Sequence, residues 1–235
     1  MNRNIKIIDL FAGIGGIRLG FENASKNKID CVFTSEWDKY SKETYQANYN
    51  NEEVFGDITK IGENEVPEHD VLLAGFPCQP FSQAGLKKGF LDTRGTLFFD
   101  IERLLIHRKP QAFLLENVKQ LRGHDKGRTF KTIISHLKKI GYNNVQYEVL
   151  RARDFGLPQN RERIYIVGFL NDNIKFEFPK PTFEPKRVGD ILEKNVDEKY
   201  TISDKLWAGH QRRKRENKLK GKGFGYGMVS ENSEY

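Results

Sequence analysis

A cysteine set between two prolines is the first feature of this 235-residue chain that invites chemistry. In GFPCQPFSQAG, Gly75 to Gly85, neither Pro77 nor Pro80 has an amide hydrogen to give to a helix or a central strand, so Cys78 is predicted to stand on a loop. A thiol there is either a nucleophile presented to a substrate or an inert buried side chain. Other short stretches carry residues of comparable promise. DLFAGIGG, Asp9 to Gly16, is a glycine turn that lets backbone approach a ligand, although Arg18 stands where a G-x-G-x-x-G loop has its third glycine. Glu36, 20 residues beyond Gly16 at the end of CVFTSEW, has the spacing of an acid that accepts hydrogen bonds from ribose hydroxyls. Trp37 beside it is either a stacking partner for a nucleobase or ordinary packing, and Asp57 in FGDIT is a further contact or a turn residue. Glu116 in ENV follows the apolar run AFLL, which suits a general acid, or else a cap or loop carboxylate. Arg161 and Arg163 in QNRERIYIVGF would share one face of an extended segment, aimed at an anion or a base edge.

These residues sit at the exits of predicted elements. Apolar strand-like runs (IKIIDLF, CVFTSEW, DVLLAGF, AFLLENV, IYIVGF) alternate with amphipathic helical stretches (GIRLGFENAS, SKETYQANY, GTLFFDIERLLIH, TFKTIISHLKKIG). The alternation predicts an α/β fold with a mostly parallel sheet, helices on both faces, and ligands collected at the carboxyl ends of strands. After about Phe169 the pattern weakens and prolines recur in EFPKPTFEP, which places a boundary near residues 175 to 185.

Composition narrows the class. Hydrophobic residues are 37% and charged residues 30%, which suits a globular chain rather than a disordered one. No apolar run approaches the roughly 20 residues of a membrane span, and MNRNIKIIDLF enters a strand directly instead of a signal peptide, so a cytoplasmic protein is expected. Cys31, Cys78 and five histidines lack the paired spacing of zinc sites or disulfide scaffolds, and no metal is expected. Within the net charge of +7, Arg212 to Lys222 holds seven basic residues against Glu216. That run is either a solvated helix or a face for a polyanion.

In order and spacing, DLFAGIGG, GFPCQPFSQAG, ENV and QNRERIYIVGF resemble the motifs of the C5-cytosine DNA methyltransferases, over roughly residues 5 to 170. The resemblance implies a Rossmann-like methyltransferase domain that binds S-adenosylmethionine and methylates carbon 5 of a cytosine flipped out of double-stranded DNA. Carbon 5 is a poor nucleophile, so the family adds a cysteine thiolate to carbon 6, and covalent catalysis splits a hard step in two. By resemblance Cys78 is that thiolate, Glu116 the acid that acts at cytosine N3, and Arg161 and Arg163 hold the base and the active loop. Phe11, Ala12, Gly13, Gly15 and Gly16 match the cofactor's glycine loop, with Asp9 at its start. Glu36 matches the ribose-binding acid, Trp37 its adenine-stacking neighbour, and Asp57 and Ile58 the adenine-edge contacts. Gly75, Pro77 and Leu97 match the methionine side. Gln79 and Ser82 are expected to touch DNA, and Arg212, Arg213, Lys214 and Arg215 to contact its phosphates.

The same resemblance divides the chain into a catalytic domain, 1–180, and a linker with the start of a target-recognition region, 181–235. Family members carry further sequence that reads DNA and closes the domain. The expectation is either a truncated product or one subunit of a split enzyme, whose partner polypeptide supplies the missing region. An RNA (tRNA) cytosine-5 methyltransferase shares the cysteine and glutamate chemistry. A nicotinamide oxidoreductase would use a glycine loop and ribose acid but needs no proline-held cysteine.

Overall fold

The computed structural model describes residues 3–26, 28–77, 97–223 and 225–234. They divide into two units: Met1–Leu150 with Glu162–Pro179, and Arg151–Arg161 with Lys180–Tyr235. The division after Pro179 lies inside the interval marked by the proline-rich stretch, whereas Arg151–Arg161 groups with the second unit although its sequence reads as part of the first.

The first unit is built on a six-stranded sheet of order β2-β1-β3-β4-β6-β5. Its strands are β1 (Ile5–Leu10), β2 (Ile29–Ser35), β3 (Val71–Gly75), β4 (Ala112–Val118), β5 (Asn144–Arg151) and β6 (Glu162–Phe169). β1 pairs in parallel with β2 and β3, and β3 in parallel with β4; β6 runs antiparallel to β4. The intervening helices are α1 (Gly16–Ser25), α2 (Lys39–Asn48), α3 (Leu97–Arg108) and α4 (Arg128–Lys139).

β1 is buried along its last four residues, because successive side chains face opposite layers and both are covered. Ile8 and Leu10 join the main core with Phe98, Ile101, Leu104 and Leu105 of α3 and Phe130, Ile133 and Leu137 of α4. Ile7 and Asp9 take the other face. There Tyr45 of α2 packs with Tyr49, Val54 and Ala12 in a smaller cluster. The mostly parallel α/β architecture expected from the alternating runs is therefore the one observed.

One element differs from its sequence expectation. NVQYEVLR does not stand out as a strand, yet it forms β5 at the end of the sheet, where one neighbour suffices and polar Asn144, Gln146 and Glu148 are tolerated. AFLLENV, by contrast, is β4 along its whole length, and pairing with β6 continues through Glu116↔Tyr165 to Val118↔Arg163.

In the second unit, Thr182 and Phe183 donate backbone bonds to Asp154 O at 3.0 and 3.1 Å. Helix α5 (Asp204–Leu219) is capped by the Ser203 hydroxyl, and Trp207 packs on Tyr226 with ring centres 4.6 Å apart. Among the described residues no helix is long and apolar enough to cross a membrane.

Candidate cofactor and catalytic site

In a twisted parallel sheet the crevice opens where the chain order reverses, and here β1 is flanked by β2 on one side and β3 on the other. A cavity of about 590 Å³ lies at the carboxyl ends of these strands, a volume typical of small-molecule sites. Phe11 after β1, Glu36 and Trp37 after β2, Asp57 and Ile58 between α2 and β3, Gly75 at the end of β3, Pro77 just beyond it and Leu97 of α3 all line it. Each of these is a residue expected at the cofactor from the sequence. Ser35, Gly56 and Thr59 line it too and carry no sequence signal of their own. They arrive because Ser35 Oγ donates to Gly56 O at 2.7 Å and Glu36 N to Phe55 O at 2.9 Å, bonds that join distant segments.

The glycine turn is a strained path. Phe11 (φ 54°), Gly13 (57°) and Gly15 (88°) all adopt left-handed backbone, which for an aromatic residue is uncommon and is typical of functional turns. Glu36 holds this path in place. Its Oε2 accepts the Gly13 N–H at 2.8 Å and its Oε1 accepts the Asp38 N–H at 2.8 Å, so one carboxylate ties the turn to the start of α2. Trp37 is 79% exposed beside it, which leaves a ring face open and disfavours the packing alternative. Asp57 caps its turn by accepting from Thr59 Oγ1 at 2.8 Å, and that bond holds its carboxyl below the usual range.

Asp9 lies behind the turn rather than in the cavity wall. It is 1% exposed, and neither carboxylate oxygen has a hydrogen-bond partner among the described residues. Burial pushes its carboxyl up to about 7, with Arg18 opposing and Glu36 reinforcing the shift. A carboxyl whose folded-state value lies above its unfolded one favours the fold when protonated. That contribution is complete below about pH 4 and is lost as pH rises through about 7. Asp9→Asn should therefore gain on wild type by on the order of 2–4 kcal/mol between pH 4 and pH 8. Parallel denaturant titrations check this, and equal pH dependence in the two proteins would refute it.

Glu116 and Arg163 meet across β4 and β6, with Arg163 Nε 2.9 Å from Glu116 Oε1. Glu116 is also opposite Gly75 in the β3–β4 register, and a Cβ on Gly75 would stand 3.6 Å from Glu116 Oε2. Gly75 itself lines the cavity, so the acid sits directly beside that wall. Next to it, buried Asn117 donates from Nδ2 to Phe76 O at 2.9 Å, which fixes the backbone that leads through Pro77 toward Cys78. Cys78, Gln79 and Ser82 themselves lie outside the described residues. Arg161 is not in β6 with Arg163: it belongs to the second unit, where its carbonyl accepts from Ala152 N at 2.9 Å. On α5, Arg213 and Arg215 are exposed and Arg212 lies 3.7 Å from Glu216. Lys214 instead folds onto Tyr226, 4.1 Å from the ring centre, and donates to Tyr226 O. Among the described residues no cluster of His, Cys, Asp and Glu is placed to hold a metal.

The profile of a family described as C-5 cytosine-specific DNA methylase matches residues 5–235. The chain belongs to that family. Within this C-5 cytosine methylase family it is 67% identical to the Type II methyltransferase M.NlaX of Neisseria lactamica, over 98% of this chain and 73% of that protein. It is 59% identical to M.SsoII of Shigella sonnei, over 100% of this chain and 62% of that one. It is 61% identical to M1.ScrFI of Lactococcus lactis subsp. cremoris, over 98% of this chain and 59% of that one. The chain thus spans about three fifths to three quarters of the length of these methylases. Its fold is also that of the S. pombe Dnmt2 methyltransferase crystal structure: the TM-score is 0.72 at 22% identity, over 98% of this chain and 70% of that one.

Proposed function

We propose that this chain carries the chemistry of a DNA (cytosine-5-)-methyltransferase, working in the cytoplasm on duplex DNA. The observation that carries the reading is the junction of β3 and β4. There Glu116, held by Arg163, lies opposite Gly75 of the cavity wall, while Asn117 anchors the backbone entering the proline-flanked Cys78.

In this reading the Cys78 thiolate adds to carbon 6 of a flipped-out cytosine, and the displaced electron density runs toward carbon 5 and N3. Glu116 donates a hydrogen bond or proton at N3, and Arg163 keeps that side chain in place. S-adenosylmethionine, when bound, supplies the methyl group. A base, water included, then takes the carbon-5 proton, and the freed electron pair re-forms the carbon 5–carbon 6 double bond as Cys78 leaves as a thiolate. The cavity fits that cofactor: Glu36 offers carboxylate oxygens to ribose hydroxyls, Trp37 an open face to adenine, and Phe11 an apolar wall. A pyrophosphate fits less well, because the Gly13 N–H is already taken by Glu36 and the Gly15 N–H by Ala12 O at 2.9 Å. This counts against a nicotinamide dinucleotide. The exposed Arg213 and Arg215 of α5 supply phosphate contacts.

Transfer of radiolabelled methyl groups into duplex DNA and into tRNA tests the proposal. The assay uses this chain alone and supplemented with a polypeptide covering the remaining length of its relatives. Labelled cytosine in DNA is expected; label confined to tRNA would favour the RNA alternative. Glu36→Ala should weaken S-adenosylmethionine binding by about 1.5–3 kcal/mol, the worth of charge-assisted hydrogen bonds together with the turn they organise. Calorimetry reads this directly, and unchanged affinity would remove Glu36 from the site.

A further inference from the structure

Arg18, which stands where a dinucleotide loop has its third glycine, is buried rather than solvent-facing. Its guanidinium bonds Glu52 through two nitrogens, Glu22 at 2.7 Å and the Tyr45 hydroxyl at 3.0 Å, and lies 3.9 Å from the ring centre of Tyr49. Tyr49, just beyond α2, reaches in turn to the glycine loop. Its hydroxyl donates to Gly15 O at 2.8 Å, and its ring is so close to Gly15 that a Cβ there would fall 2.3 Å from Cε2. Gly15 is the residue at which the turn becomes α1, with φ 88°. Two residues before it, Gly13 gives its N–H to Glu36 in the cavity wall.

We infer that Tyr49, backed by the Arg18–Glu52 pair, is a positioning residue for the cofactor-binding turn. It fixes Gly15, and so the path of Ala12 to Gly16, before any ligand arrives. The directed hydroxyl bond separates this role from simple space filling, for which phenylalanine would serve. Burial raises the Tyr49 phenol to about 12, with Glu22 adding to the shift, so the hydroxyl remains a donor throughout the working pH range. A turn held in its bound shape saves the ordering cost of binding, and the benefit falls on affinity rather than on the chemical step.

The inference rests on the S-adenosylmethionine reading, and Tyr49→Phe tests it in the active protein. KM for S-adenosylmethionine should rise about 3- to 10-fold, as for the loss of one hydrogen bond, with kcat and the KM for DNA unchanged. Hydrogen exchange at the Gly13 and Gly15 amides of the ligand-free protein should quicken. Glu52→Gln, which loosens Arg18 from the far side, should move both readouts in the same direction. Unchanged exchange overturns the inference, as does an unchanged KM or a fall in kcat with KM unaltered. Should wild type show no affinity for S-adenosylmethionine, the functional proposal fails, while the exchange measurement still decides whether Tyr49 holds the turn.

Discussion

Cys78→Ala should lower methyl transfer by roughly 10⁴-fold or more while leaving S-adenosylmethionine affinity nearly intact. The size follows from the chemistry: without addition of sulfur to carbon 6, no electron density is delivered to carbon 5, and no other group on the chain is called on to replace that bond. The selectivity follows from the site. The cavity proposed for the cofactor is walled by Phe11, Glu36, Trp37, Asp57 and Ile58, which reach it from the ends of β1 and β2 and the segment before β3, and none of these residues needs the thiol. The substitution should therefore separate binding from turnover. DNA bearing 5-fluorocytosine at the target gives a positive counterpart. Fluorine cannot depart as a proton does, so elimination stalls and wild type should remain covalently joined to the DNA through Cys78, whereas Cys78→Ala should give no denaturant-stable complex. Near wild-type turnover by the alanine variant, or an adduct mapped to another residue, would dispose of the covalent route.

The elements that position this site could be read from the chain because each strand buried on both faces is a near-continuous apolar run, and each helix between them shows its own period. GIRLGFENAS coincides with α1, Gly16–Ser25. β5 carries no such run, because a strand at the end of a sheet is free of the same demand for burial. In the site, residue types and spacing led to Glu36, but not to its grip on the Gly13 and Asp38 amides, which join segments that only the folded sheet brings together. Asn117 is legible as part of the ENV motif, yet its hold on Phe76 depends on β3 and β4 being neighbours. Arg18 looked like a defect in a glycine pattern. In the structure it backs the Tyr49 contact with the turn, which a local pattern cannot reveal because Glu52, Tyr45 and Tyr49 all come from beyond β2.

The pairing of Glu116 with Arg163 leads to the second large effect. Two arginines two residues apart suggested a shared face, but the structure gives them different settings: only Arg163 lies in β6, where the antiparallel register with β4 sets its Nε 2.9 Å from Glu116. Both side chains are largely shielded from water, so the contact is a directed bond that fixes where the glutamate carboxyl sits. Glu116→Gln keeps the shape but cannot transfer a proton at N3, and kcat should fall by about 10²–10⁴-fold. Arg163→Met should cost turnover on a similar scale by a different route, since the glutamate remains but is no longer held beside Gly75. If the two act as one device, the double variant should be little worse than the poorer single one, because each substitution already disables the pair. Cofactor affinity measured alongside should stay close to wild type in all three, since neither residue lines the cavity among the described residues. Losses that multiply in the double variant would mean that Arg163 serves the reaction independently of Glu116, and a Glu116→Gln enzyme with near wild-type kcat would remove proton transfer at N3 from the mechanism.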